Sequence, residues 1–195
     1  MARIILRGRT VELREEILGA TLTCFNYKGL KFTMDDVAHT LGISKKTIYK
    51  EFKDKEDMTL ALVDYVFDGI KEAERQIYES RELSTVEKIR RILGVLPEGY
   101  KNIDLRQLYV IRDTYPKIYR KVEQRLENGW ESTIALLQQG IEEGVIRPIK
   151  IPILKMMLEA SLEQFFQRDI LVKNKITYSE GLDEVVDILI EGIRQ

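Results

Sequence analysis

A chain of 195 residues that is 44% hydrophobic and 32% charged is long enough to bury a core and too apolar to stay disordered. No stretch approaches eighteen uninterrupted apolar residues and no small-residue cleavage site follows the short Ile4-Ile5-Leu6 run, so neither a helical membrane span nor a secretory signal is expected. The net charge of −1 conceals an asymmetry: residues 1–55 carry eleven Lys/Arg against seven Asp/Glu and the rest carry twenty against twenty-five, so only the amino-terminal head suits a polyanion.

Helical periodicity runs through almost the whole chain. Leu13, Ile17, Leu18, Leu22 and Phe25 line one face of a first helix that Gly29 can close. Thr33 opens a short second helix through Leu41, and Ser44 opens a third through about Phe52. Asp54 caps a long fourth helix with Met58, Leu62, Val66, Ile70, Ala73 and Ile77 on a single stripe. Ser84 to Glu87 has capping-box spacing ahead of Ile89, Leu93 and Leu96, and the segment from Leu96 to Gly99 predicts a break. A short helix is expected around Leu105 to Arg112. Pro116 then suits the first position of one long helix carrying Ile118, Val122, Leu126, Trp130, Leu137 and Ile141. Gly144 to Pro152 reads as a loop, and Pro152 opens a helix rich in Met156, Met157, Leu158, Leu162, Phe165 and Phe166. The last helix carries Leu182, Val185, Val186, Leu189 and Ile193.

No strand pattern competes, so the expected fold is all-α with about nine helices. A three-helix head at 1–55 precedes a helical body at 56–195. The helix at 152–172 is apolar on more than one face and needs partners on both sides. With the last helix it could complete a four-helix interface in a homodimer.

The densest signal is Thr33 to Phe52, Thr-Met-Asp-Asp-Val-Ala-His-Thr-Leu-Gly-Ile-Ser-Lys-Lys-Thr-Ile-Tyr-Lys-Glu-Phe. Two short helices separated only by Gly42, Ile43 and the capping Ser44 form a helix-turn-helix. Ala38 is small where the helices approach, Gly42 can take a positive φ, and Val37, Leu41, Ile43 and Ile48 fill the core between them. The third helix is basic on its outside. Lys45 and Lys46 can reach guanine acceptors or phosphates, and Thr47 a thymine methyl or a phosphate. The Tyr49 hydroxyl and Lys50 ammonium suit backbone oxygens, while Thr33 and Lys55 begin helices where phosphate is favoured. These seven residues are the candidate contacts to a double-stranded DNA operator.

The run from Thr33 to Met58, TMDDVAHTLGISKKTIYKEFKDKEDM, resembles the signature of tetracycline-repressor (TetR) type regulators. Ala20 to Leu30, ATLTCFNYKGL, is similar to that family's first helix and its Lys-Gly turn. The resemblance implies a dimer on a palindromic operator, one recognition helix per half-site, and a ligand in the body that changes the spacing of the heads. It also implies the same seven DNA contacts. Glu51 departs from a position that is commonly aromatic in the family, and its carboxylate is expected either to turn toward Lys53 or Lys55 or to lose a contact. Lys46 stands where a small residue is frequent.

In the body, Tyr109, Arg112, Trp130, Met156, Glu159 and Phe165 are the candidate contacts to a small-molecule effector, in a mostly apolar lining with a few orienting polar groups. The same side chains at helical spacing also suit a plain core. An enzyme is the rival class, and the composition argues against it. His39 is the one histidine and lies within the motif, Cys24 is the one cysteine and falls on a core position, and neither a glycine-rich phosphate loop nor metal-ligand spacing occurs. The expectation is therefore a non-enzymatic, cytoplasmic transcriptional regulator, a repressor with an activator as the alternative. It needs no cofactor and no metal.

Overall fold

Hydroxyl and carboxylate caps punctuate the chain where its helices begin. Thr33, Ser84 and Thr177 each accept a hydrogen bond from the amide three residues on, and the Asp36, Glu87 and Glu180 carboxylates accept one from the cap's own amide, making three capping boxes. Ser44 and Asp54 cap in the simpler one-way form, through the amides of Thr47 and Asp57. All four cap positions expected from the sequence, Thr33, Ser44, Asp54 and Ser84, hold these bonds.

The computed structural model describes residues 2–96 and 114–195, with side chains from residue 12 onward except at residue 166. Its helices are α1 (Ala2–Lys28), α2 (Met34–Leu41), α3 (Lys45–Glu51), α4 (Lys55–Glu79), α5 (Thr85–Leu93), α6 (Pro116–Glu127), α7 (Glu131–Glu142), α8 (Ile151–Gln167), the single turn α9 (Ile170–Lys173) and α10 (Tyr178–Ile193). A short 3-10 turn, Gly29–Lys31, joins α1 to α2 with Gly29 at φ 54°. The fold is all-α, and the described residues contain no strand beyond an isolated bridge between Ile146 and Arg194. None of the described helices is long and apolar enough to cross a membrane. The short helix expected at 105–112, and the break expected at Pro97 to Gly99, lie outside the described residues.

One expectation is corrected. Pro116 to Ile141 is two helices, α6 and α7, because Gly129 turns the chain at φ 79°. The break exposes backbone carbonyls that would have been bonded within one helix, and side chains take them up. Asn128 donates to Gln124 O at 2.7 Å, the Trp130 indole to Leu126 O at 3.1 Å, Lys155 to Glu127 O at 3.0 Å and Lys71 to Gly129 O at 2.6 Å. Two of these donors come from other helices, which is why the helical stripe alone did not reveal the corner.

Two apolar cores result. The head core gathers Ile17, Phe25, Phe32, Val37, Ile48, Phe52 and Met58, and extends past residue 55 to Leu62 of α4 and Ile118 of α6. The body core is built on Ile89, Leu136, Leu137, Ile146, Leu158, Val186 and Ile190. Each such side chain contributes about 1.5–3 kcal/mol by leaving water. Helix α4 gives Met58 and Leu62 to the first core and packs Ile77 against the second, so it belongs mechanically to both.

Candidate nucleic-acid interface and effector cleft

The turn between α2 and α3 is a Schellman motif. Gly42, left-handed at φ 65°, donates to His39 O at 3.2 Å, and Ile43 donates to Ala38 O at 3.0 Å. Ile43 then packs on the head core, with Ala38 buried beneath it. Helix α3 is anchored through Ile48, which is fully buried, and through Phe52 just beyond its end. Its basic residues face outward. Lys45, Lys46, Tyr49 and Lys50 are exposed, and Thr47 is half-buried with its hydroxyl 2.9 Å from that of Ser44. Lys45 meets the exposed Asp35 of α2 at 2.8 Å, which raises the lysine's pKa.

Thr33 and Lys55 sit differently from the α3 residues. The Thr33 hydroxyl is exposed but committed to its capping box with Asp36. Lys55 turns inward: its ammonium donates to Leu30 O at 2.5 Å and lies 4.6 Å from the centre of the Phe32 ring. Burial pulls its pKa below the ordinary lysine value. Glu51 makes no ion pair with Lys53 or Lys55, so the expected side-chain pairing is not formed. Its backbone carbonyl instead accepts from Arg14 of α1 at 2.9 Å, and the Arg14 guanidinium stacks 4.2 Å from the Phe52 ring centre. Sequence reading missed Arg14 because the contact spans 37 residues and leaves no local pattern.

In the body, a cleft of about 110 Å³ opens between α4, α5, α6, α7, α8 and α10. That exceeds the roughly 10–15 Å³ needed for one water. Apolar groups dominate the lining, among them Phe67, Leu93, Leu126, Trp130, Leu162 and Leu182. Lys71, Glu74, Arg125 and Glu159 are its charged members. Burial raises the Glu74 pKa, and Lys71 at 2.7 Å opposes that shift.

Known proteins resemble this chain both in the head and along most of its length. Residues 17–62 match the family model described as bacterial regulatory proteins, tetR family. The uncharacterized HTH-type transcriptional regulator YvaF of Bacillus subtilis is 29% identical across 92% of this chain and 94% of its own length. Residues 17–62 thus carry the tetR-family region, and the chain along most of its length is similar to HTH-type transcriptional regulators. The HTH-type transcriptional repressor KstR2 of Mycobacterium tuberculosis is 26% identical, with 72% of each chain covered. The fold is shared with a TetR transcription regulator from Haloarcula marismortui at a TM-score of 0.71, with 16% identity, covering 95% of this chain and all of that one.

The expected effector residues divide. Trp130 and Glu159 both line the cleft. Phe165 stands behind it, its ring edge-to-face with Tyr178 of the lining at 6.0 Å. Met156 does not join them: it lies on the outward face of α8, 55% exposed. Tyr109 and Arg112 fall outside the described residues. Lys71 and Glu74 of α4 reach the cleft without having been singled out. The one signal that could have found them is their place on the helix that leaves the head.

Proposed function

We propose that this chain is a TetR-family regulator, a ligand-responsive repressor that binds a two-fold symmetric operator as a homodimer. The observation carrying the reading is α3, a short helix seated on Ile48 and held at both ends, with Lys45, Lys46, Tyr49 and Lys50 turned to solvent. Laid in the major groove, its first turn offers Lys45, Lys46 and Thr47 to base edges and flanking phosphates. Tyr49 and Lys50 take backbone oxygens, and Thr33 takes a phosphate at the start of α2. Lys55 belongs to the same machinery as a positioning residue, bracing the corner between α1 and α2 that seats α3.

The name of the KstR2 relative supports repression. Dimerisation is supported by Ile153, Met156 and Met157 of α8 and Ile188 of α10, all apolar and exposed on helices that pack together. That assignment gives Met156 a partner subunit rather than the effector to contact. The effector occupies the cleft against Trp130 and Glu159, and α4 carries its occupancy to the head.

The test is binding to genomic fragments that include the protein's own promoter, across a series of salt concentrations. Operator affinity should fall with a log–log slope near −0.9 per phosphate neutralised. Saturation of the fragments without any salt dependence, or no retention of any fragment, defeats the reading.

A further inference from the structure

The charged members of the cleft are not equally engaged. Lys71 is held by Glu74 at 2.7 Å and by Gly129 O at 2.6 Å. Arg125 is held by Asp68 at 2.6 Å and by Asp64 at 3.5 Å. Glu159 is the exception: its Oε1 is buried and accepts no hydrogen bond. The Lys155 ammonium forms an ion pair with that oxygen at 3.4 Å without a hydrogen bond to it, and donates one to Glu127 O at 3.0 Å. That same ammonium sits 5.6 Å from the centre of the Trp130 ring.

A protein cation therefore already stands between an aromatic ring and an under-used carboxylate at the edge of an apolar cleft. A ring face and a carboxylate together recognise an ammonium group. An anionic group in the same place would face Glu159 and Glu74, while Lys71 is already paired with Glu74 and Arg125 with Asp68 and Asp64. Resting on the reading of this cleft as the effector site, we propose that its ligand is an apolar molecule bearing a protonated amine. The amine is read by Glu159 against Trp130, and Lys155 is the internal cation with which it competes.

Three probes with one apolar body test this on the full-length protein: 1-naphthylmethylamine, 1-naphthylmethanol and 1-naphthoate. Calorimetry gives the affinities, and fluorescence of Trp130, the single tryptophan, reports contact in the cleft. The amine should bind at least about tenfold tighter than the alcohol, which is a free-energy preference of about 1.4 kcal/mol, and the carboxylate should bind weakest. Glu159→Gln should erase the amine's advantage while leaving alcohol affinity within about twofold, and Lys155→Met should raise amine affinity. If the alcohol binds and quenches Trp130 but the amine shows no preference, or keeps its preference in Glu159→Gln, the amine proposal is overturned and the cleft reading stands. If the carboxylate binds tightest, the proposed polarity is wrong. If no probe binds, the cleft reading falls with it.

Discussion

Three donors converge on the Asp36 carboxylate: Lys28 Nζ at 2.6 Å, the Thr33 amide at 2.8 Å and the Thr33 hydroxyl at 3.0 Å. Led by the Lys28 bond, they hold its pKa at about 2. A depressed carboxylate pKa means that the charged form favours the fold. Its contribution is present above the unfolded value near 4 and is lost as pH falls toward 2. Asp36→Asn should lower the melting temperature at pH 7, and the gap from the parent protein should close across that acid window in circular-dichroism melts. Gly42 makes a different single-residue demand. A Cβ there meets nothing within 4 Å, so Gly42→Ala bears only the left-handed backbone strain, about 1 kcal/mol. Lys55→Ala should lower stability by loosening the Leu30 and Phe32 contacts while leaving the salt slope of DNA binding unchanged. A slope reduced by about one would make Lys55 a direct phosphate ligand.

Helix α3 depends on what it does not bury. Lys50→Ala and Tyr49→Phe remove candidate phosphate contacts from exposed positions, so both should weaken operator binding while the melting temperature barely changes. For Lys50→Ala the log–log salt slope should shrink by about 0.9. Unchanged affinity and slope in both variants would remove these residues from the interface. Helices α4 and α6 are joined by charges in step along their shared edge: Glu56 with Lys117 at 3.2 Å, Asp64 with Lys121 at 2.9 Å and Asp68 with Arg125 at 2.6 Å. These pairs are largely exposed, and each contributes about 0–1 kcal/mol. Asp64→Ala should therefore cost little, and the cost should shrink further in high salt. Gly129→Ala should cost more than Gly42→Ala, because its Cβ would lie 2.6 Å from Lys71 Cε and unseat the lysine that ties α4 to the corner between α6 and α7.

At the scale of the whole molecule, α4 begins in the head core and ends against the body core, passing the cleft at Phe67, Ile70, Lys71 and Glu74. An effector that binds DNA-free and DNA-bound forms unequally must obey linkage: the operator weakens effector binding by the factor by which the effector weakens operator binding. Equal effector affinity on and off the operator would remove the proposed coupling. The exposed stripe on α8 makes the corresponding prediction for assembly. Replacing Ile153 and Met157 together by Glu should turn a dimer into a monomer by light scattering and abolish high-affinity operator binding, since one head holds only a half-site.

Helix identity, the four cap positions and the helix-turn-helix were legible in the sequence because they are local. A cap bonds an amide three residues on, and an apolar stripe repeats within one helix. The signature from Thr33 to Met58 carried the family resemblance for the same reason. Interactions between distant residues could not be read this way. The break at Gly129 is secured by Lys71 and Lys155, Glu51 is met through its backbone by Arg14, and Lys55 is drawn inward to Leu30 and Phe32. Met156 and Glu159 occupy one helix three residues apart, yet one faces solvent and the other a cleft. Periodicity shows that α8 has more than one apolar face, but only packing decides which face meets the cleft and which is left for a partner.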